Sequence, residues 1–170
     1  AAGTYNMYVN REPRFYLTVM WNRQWYHQAN REVQMMSNEQ DGGPTHDAPQ
    51  AGYLNRKKVS LEQNQRDGIH PYRPGILYRL GEAYLNYAEA LNEADPGNPD
   101  ILKYLNLIRE RAGVPQYGTG VDSNGFNKIT LNGQEEVRQA IYHERRVELC
   151  CENGIRYFDL RRWKKAEEVL

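Results

Sequence analysis

The sequence predicts a mainly α protein with short strands and long loops in its first third. Three observations lead there. Large apolar and aromatic residues recur at the helical period in several segments after residue 76. Residues that start and stop helices bracket those segments in the correct order. Residues 1–75 hold no such period and are broken by Gly, Pro, Asn and Asp. The division predicts a strand-and-loop region over 1–75 and a helical region over 76–170, with helix pairs at 76–113 and 133–170. The abrupt helical pattern at Leu170, with no stop signal, and two helix pairs where stacked arrays need three or more repeats, predict a piece of one larger domain.

Residues 1–14 are polar and read as irregular. Phe15-Tyr16-Leu17-Thr18-Val19-Met20-Trp21 reads as a strand, because Phe15, Leu17, Val19 and Trp21 would share one face at period two. Pro13 stands just before it, where a strand tolerates a missing donor. Residues 22–31 read as a loop, Glu32–Ser37 as a second short strand and Gly52–Val59 as a third. Residues 38–50 and 60–75 read as loop from their composition.

The first helix is predicted from Ile76 to about Ala94, with Leu77, Leu80, Tyr84, Tyr87, Ala88 and Leu91 on one stripe. Asp95-Pro96-Gly97-Asn98 stops it. Asn98 then caps a second helix, with Pro99 at its first position and Asp100 in its first turn. Ile101, Leu105, Ile108 and Ala112 form its stripe, and Gly113 and Pro115 end it. Residues 114–131 are a Gly-, Ser- and Asn-rich connection. Asn132 and Glu135 have capping-box spacing at the head of a third helix that runs to about Glu152. Val137, Ala140, Ile141, Glu144, Val147, Glu148 and Cys151 fall on one broad face. Asn153-Gly154 gives a left-handed stop, and a fourth helix starts near Ile155.

Lys plus Arg equals Asp plus Glu, 22 each, which argues against a nucleic-acid footprint. No apolar run approaches the ~20 residues that cross a bilayer. Cys150 and Cys151 are adjacent, a poor geometry for a mutual bridge, and they give no zinc spacing. His27, His46, His70 and His143 stand at no metal-ligand spacing from one another. No metal and no cofactor is expected.

Two clusters are left. Glu144, Arg145, Arg146, Glu148, Arg156, Asp159, Arg161 and Arg162 read as arginine–carboxylate forks between the third and fourth helices. The catalytic alternative is a glycoside hydrolase using Glu144 and Glu148, which share a helix face. The arginines beside them would depress carboxylate pKa values and weaken a general acid. The other cluster is Trp21, Trp25 and Tyr26 with Arg23 and Gln24. Aromatic faces pack on the C–H face of a sugar, while amides and guanidinium read its hydroxyls, so these five are candidate glycan-binding residues. The structural alternative places Trp21 in a core and packs Trp25 under its own loop. The 13 tyrosines against 3 phenylalanines suit half-wet binding surfaces.

Four phrases occur in fixed order: RLGEAYLNYAEALNEA, YLNLIRERAGVP, AIYHERRVEL and ENGIRYFDLRRW. Together with REPRFYLTV and AGYLNRKKV, they resemble the C-terminal part of the SusD/RagB family. Leu80-Gly81-x-x-Tyr84 also matches part of a tetratricopeptide first helix. The resemblance implies a SusD-like fold with tetratricopeptide-like helix pairs. It implies a surface-exposed outer-membrane lipoprotein that binds an oligosaccharide, or a peptide, without catalysing a reaction. It implies delivery to a SusC-like TonB-dependent transporter, and a partnership with the rest of a SusD-like chain that carries the lipid anchor. A helix-pair scaffold that binds only protein partners is the alternative to nutrient binding.

Overall fold

The structure, a computed structural model, describes residues 5–43, 48–49, 51–57, 59–64 and 67–169, without the Gln28 side chain. His46 lies outside the described residues. The chain forms two compact units: residues 1–11 with 15–75, and residues 12–14 with 76–170.

The first unit is built on short elements. The predicted strand over 15–21 is instead a short helix, α1 (Pro13–Thr18), followed by a two-residue strand, β1 (Val19–Met20). Pro13 takes the first helical position, where its missing N–H costs nothing. A seven-residue apolar run does not by itself distinguish strand from helix. The period-two face fails accordingly: Leu17 is 70% exposed, while Thr18 and Trp21 are buried. Residues 22–31, expected as loop, contain β2 (Trp25–Tyr26), which pairs antiparallel with β3 (Arg31–Glu32) in the register Trp25↔Glu32 and Tyr26↔Arg31. The expected strand over 32–37 thus contributes only its first residue. Within 52–59 the strand is β4 (Leu54–Asn55), paired with β1 in the register Val19↔Asn55 and Met20↔Leu54.

The core of this unit is aromatic. Trp21 stacks on Phe15 at 5.3 Å between centroids, with Tyr16 and Tyr8 at 5.4 and 5.8 Å. Tyr8, Val33 and Met35 are buried. The Tyr16 hydroxyl donates to the Tyr8 carbonyl at 2.8 Å, so the half-polar ring is satisfied as it packs.

The second unit is helical: α2 (Leu80–Ala94), α3 (Pro99–Ala112), α4 (Gly133–Glu148) and α5 (Ile155–Arg162). The start of α2 is four residues later than predicted. Arg79 is its extended N-cap, and Leu77 is 89% exposed. Its deepest residues are Leu85, Ala88 and Asn92: Ala88 lies on the expected stripe, and Leu85 and Asn92 each stand one position past it. The tyrosines of that stripe sit at its edge, where Tyr84 and Tyr87 each meet Tyr104 at 5.1 Å.

α3 follows the sequence closely. The Asn98 side chain accepts from the Asp100 N–H at 3.0 Å, and Gly113 adopts φ 68° at the C-cap. Ile101, Leu105, Ile108 and Ala112 are all buried. At the head of α4 the capping box is not formed. The Asn132 side chain makes no cap bond; Glu136, not Glu135, accepts from the Asn132 N–H at 2.6 Å. α4 ends at Glu148, not Glu152, in a turn where Cys151, Asn153 and Gly154 all have positive φ. The Cys150 and Cys151 sulfurs lie 3.5 Å apart without a disulfide. α5 ends at Arg162 instead of running on, and Lys164 has φ 57°.

Leu85, Ala88, Ile101, Leu105, Ile108, Tyr117, Ala140, Ile141 and Leu149 form the shared core of α2, α3 and α4. The fold is mostly helical, and its helix pairing is consistent with the tetratricopeptide type. Among the described residues no helix is long and apolar enough to cross a membrane.

Candidate functional site

The last two acids of α4, Glu144 and Glu148, are buried among guanidinium groups. Glu144 is fully enclosed, with Arg14 at 2.6 Å on one carboxylate oxygen and Arg109 at 2.6 Å on the other. Arg109 also donates to the Pro115 carbonyl at 2.6 Å, and its guanidinium lies 4.2 Å from the Tyr117 ring centroid. Glu148, one turn on, takes Arg14 at 3.0 Å, Arg79 at 2.7 Å and Arg111. Arg79 also forks Glu152, at 2.8 Å from both Nε and Nη2. Burial pushes the Glu148 carboxyl up, but the hydrogen bonds from Arg79, Arg111 and Arg14 together outweigh it and hold it below the ordinary carboxylate value. Arg14 and Arg79 are correspondingly raised above the ordinary guanidinium value. For Arg14 burial opposes the shift, and bonds to Glu12, Glu144 and Glu148 override it; for Arg79 the bond to Glu152 leads.

A second knot joins α4, α5 and α2. Arg145 grips Asp159 at 2.9 and 3.0 Å. Asp159 also accepts from Arg162 at 2.9 Å. Glu89 accepts from Arg162 and from the Trp163 indole N–H at 2.7 Å, and that indole stacks on Tyr142 at 3.7 Å.

Of the predicted ion-pair residues, Glu144, Arg145, Glu148, Asp159 and Arg162 take part. Arg146, Arg156 and Arg161 form no ion pair among the described residues; Arg161 instead donates to the Tyr157 hydroxyl at 2.8 Å. Arg14, Arg79, Arg109, Arg111, Glu89 and Glu152 escaped sequence reading. Arg109 and Glu89 carried a usable signal, since each stands four residues after a core leucine, Leu105 and Leu85. Arg14 and Arg79 carried none for the buried acids, because Glu144, Glu148 and Glu152 are more than sixty residues away from them. Glu144 is 0% and Glu148 3% exposed, and arginines hold both carboxylates, an environment that favours the ionised form over the protonated one a general acid needs.

The aromatic cluster divides. Trp21 is 9% exposed and belongs to the core of the first unit. Trp25 is 47% exposed on the β2–β3 hairpin and offers its ring to solvent. Tyr26, beside it, lines a cleft of about 240 Å³ with Met20, Val33, Asp41, Leu54 and Arg56. Arg23 and Gln24 are used inside the unit. Arg23, at φ 70°, pairs with Glu39. The Gln24 amide oxygen accepts from the Trp21 N–H at 3.3 Å. Buried Asn22 accepts from the Met35 N–H at 2.8 Å and fixes the base of the hairpin. Arg31 holds Asp41 with two bonds of 2.6 Å. The Arg31 fork, helped by the Gln34 N–H, keeps the Asp41 carboxyl below its ordinary value against the opposing effect of burial.

The helical unit is locked by buried ion pairs, and the loop-rich unit carries an exposed tryptophan on a short hairpin. The chain belongs to the SusD family, whose model matches residues 1–170. SusD-like protein P38 of Formosa agariphila is 38% identical over 96 residues, 56% of this chain and 18% of that protein. SusD-like protein P2 of the same organism is 36% identical over 106 residues, 62% of this chain and 19% of that protein. A solved SusD-like protein from Bacteroides fragilis superimposes with a TM-score of 0.67 at 29% identity, covering 93% of this chain and 29% of its own. The chain thus spans less than a third of the length of these relatives.

Proposed function

We propose that the protein is a nutrient-binding component of an outer-membrane uptake complex. It captures an oligosaccharide at the cell surface and delivers it to a SusC-like TonB-dependent transporter; a peptide is the other class of cargo. The longer chain to which this family portion corresponds is a surface lipoprotein in the same reading. Recognition is by aromatic stacking and side-chain hydrogen bonds, and no bond of the cargo is broken.

Family membership along the whole chain supports this reading, and Trp25 is the observation that carries it to a site. A large apolar ring held half out in water on a short hairpin loses exposed area when a sugar ring covers it. Glu144 and Glu148, the two acids that share a helix face, are committed to arginines.

The test titrates the chain and its Trp25→Ala variant with a panel of oligosaccharides. The ligand that binds the parent is expected to bind Trp25→Ala about tenfold more weakly, about 1.4 kcal/mol, with an unchanged melting midpoint. Equal affinities across the panel would remove the hairpin from the site.

A further inference from the structure

The cleft beside the hairpin contains an arginine whose guanidinium is unpaired among the described residues. Arg56 is half-buried and lines the cleft. Its backbone N–H donates to the Thr18 carbonyl at 2.9 Å, which fixes the chain there. Its guanidinium has no ion pair and no side-chain hydrogen bond among the described residues. Its neighbours behave differently. Arg23 is paired with Glu39 and Arg31 with Asp41, and Arg11 donates to the Met7 carbonyl at 2.7 Å. A guanidinium drawn partly out of water without an acceptor loses hydration and regains nothing, so an anion entering the cleft restores what burial removed.

The other walls specify what kind of anion. Tyr26, Met20, Val33 and Leu54 offer ring and aliphatic surface, which suits the C–H face of a pyranose better than a bare inorganic ion. Asp41 does not compete for Arg56, because Arg31 and the Gln34 N–H already hold it. Kept ionised, it still has lone pairs for a sugar hydroxyl. The volume of about 240 Å³ lies below that of a pocket for a drug-sized ligand, on the order of 300 Å³ and up, and so fits a single sugar unit.

We propose that this cleft recognises one negatively charged sugar unit of an oligosaccharide, with its carboxylate or sulfate on Arg56 and its ring against Tyr26 and Met20. The proposal rests on the glycan-binding reading and narrows it to acidic polysaccharides.

The test titrates the full chain with three tetrasaccharides: a galacturonate tetramer, its carboxyl-reduced neutral counterpart, and a sulfated galactan tetramer. At least one acidic ligand is expected to bind ten times more tightly than the neutral one, and the one that does so identifies the charged group. Arg56→Gln is expected to abolish that preference and leave neutral-sugar affinity in place. Arg56→Lys, which keeps the charge but not the planar fork, is expected to lose most of it. It serves as the deciding variant if Arg56→Gln melts early. Equal binding of acidic and neutral ligands by the parent, or a preference that survives both substitutions, overturns the anionic subsite and leaves glycan binding standing. Failure of all three, and of neutral oligosaccharides generally, overturns both.

Discussion

A carboxylate buried among guanidiniums is stable only while its partners are present. Glu148 accepts from Arg14, Arg79 and Arg111, and its side chain is almost fully enclosed. Glu148→Ala leaves three cationic groups facing an apolar hole. It is expected to destabilise the chain by about 3 kcal/mol, as one-sided removal of a buried ion pair does; urea denaturation measures it. A midpoint equal to the parent's would mean that water already screens the acid. The same residue fixes a pH dependence. Its folded-state pKa lies below its ordinary value near 4.5, so the folded state binds the proton less readily than the unfolded chain. That stabilisation is complete above the ordinary value and is lost as pH falls through the folded one. Urea midpoints are therefore expected to drop below about pH 4.5, and Glu148→Gln is expected to flatten part of that slope. The acids of this knot were legible because Glu144 and Glu148 stand on an apolar helix face. Arg14, 130 and more residues distant, was not, since nothing local in the sequence marks a partner so far away.

At the scale of elements, local chemistry decides which predictions hold. α3 is bounded by residues that act on their own neighbours: the Asn98 cap, Pro99, and Gly113 in the left-handed region. Its ends and buried stripe were accordingly readable. Asn98→Ala is expected to cost about 1 kcal/mol, seen as a lower melting midpoint. α1 and the start of α2 were not readable. Phe15–Thr18 and Ile76–Tyr78 are runs too short to show a period. α2 gives a sharper test at Gly81. Alanine there improves helix propensity by about 1 kcal/mol. Its added carbon would, however, stand 2.5 Å from Arg79 Nη1, which is held by Glu148 and Glu152. Gly81→Ala is therefore expected to lower the thermal midpoint despite its better propensity. A raised midpoint would show that Arg79 can swing aside at little cost.

For the molecule as a whole, the helical class and the family were legible, because four amphipathic phrases kept their order and wording. The proposed recognition surface draws on only part of the aromatic cluster. Trp25 and Tyr26 remain available, Trp21 became core, and Arg23 and Gln24 serve their own loop. Composition cannot tell a stacking tryptophan from a packed one; the aromatic neighbours of Trp21 at 5.3 to 5.8 Å settle its place. In the proposed function the buried ion pairs are framework, and recognition occurs on the hairpin and cleft of the first unit. The most direct test is the oligosaccharide affinity of Glu148→Gln, measured by calorimetry well below that variant's melting temperature. The affinity is expected to lie within twofold of the parent's. A folded Glu148→Gln that no longer binds the ligand would contradict it.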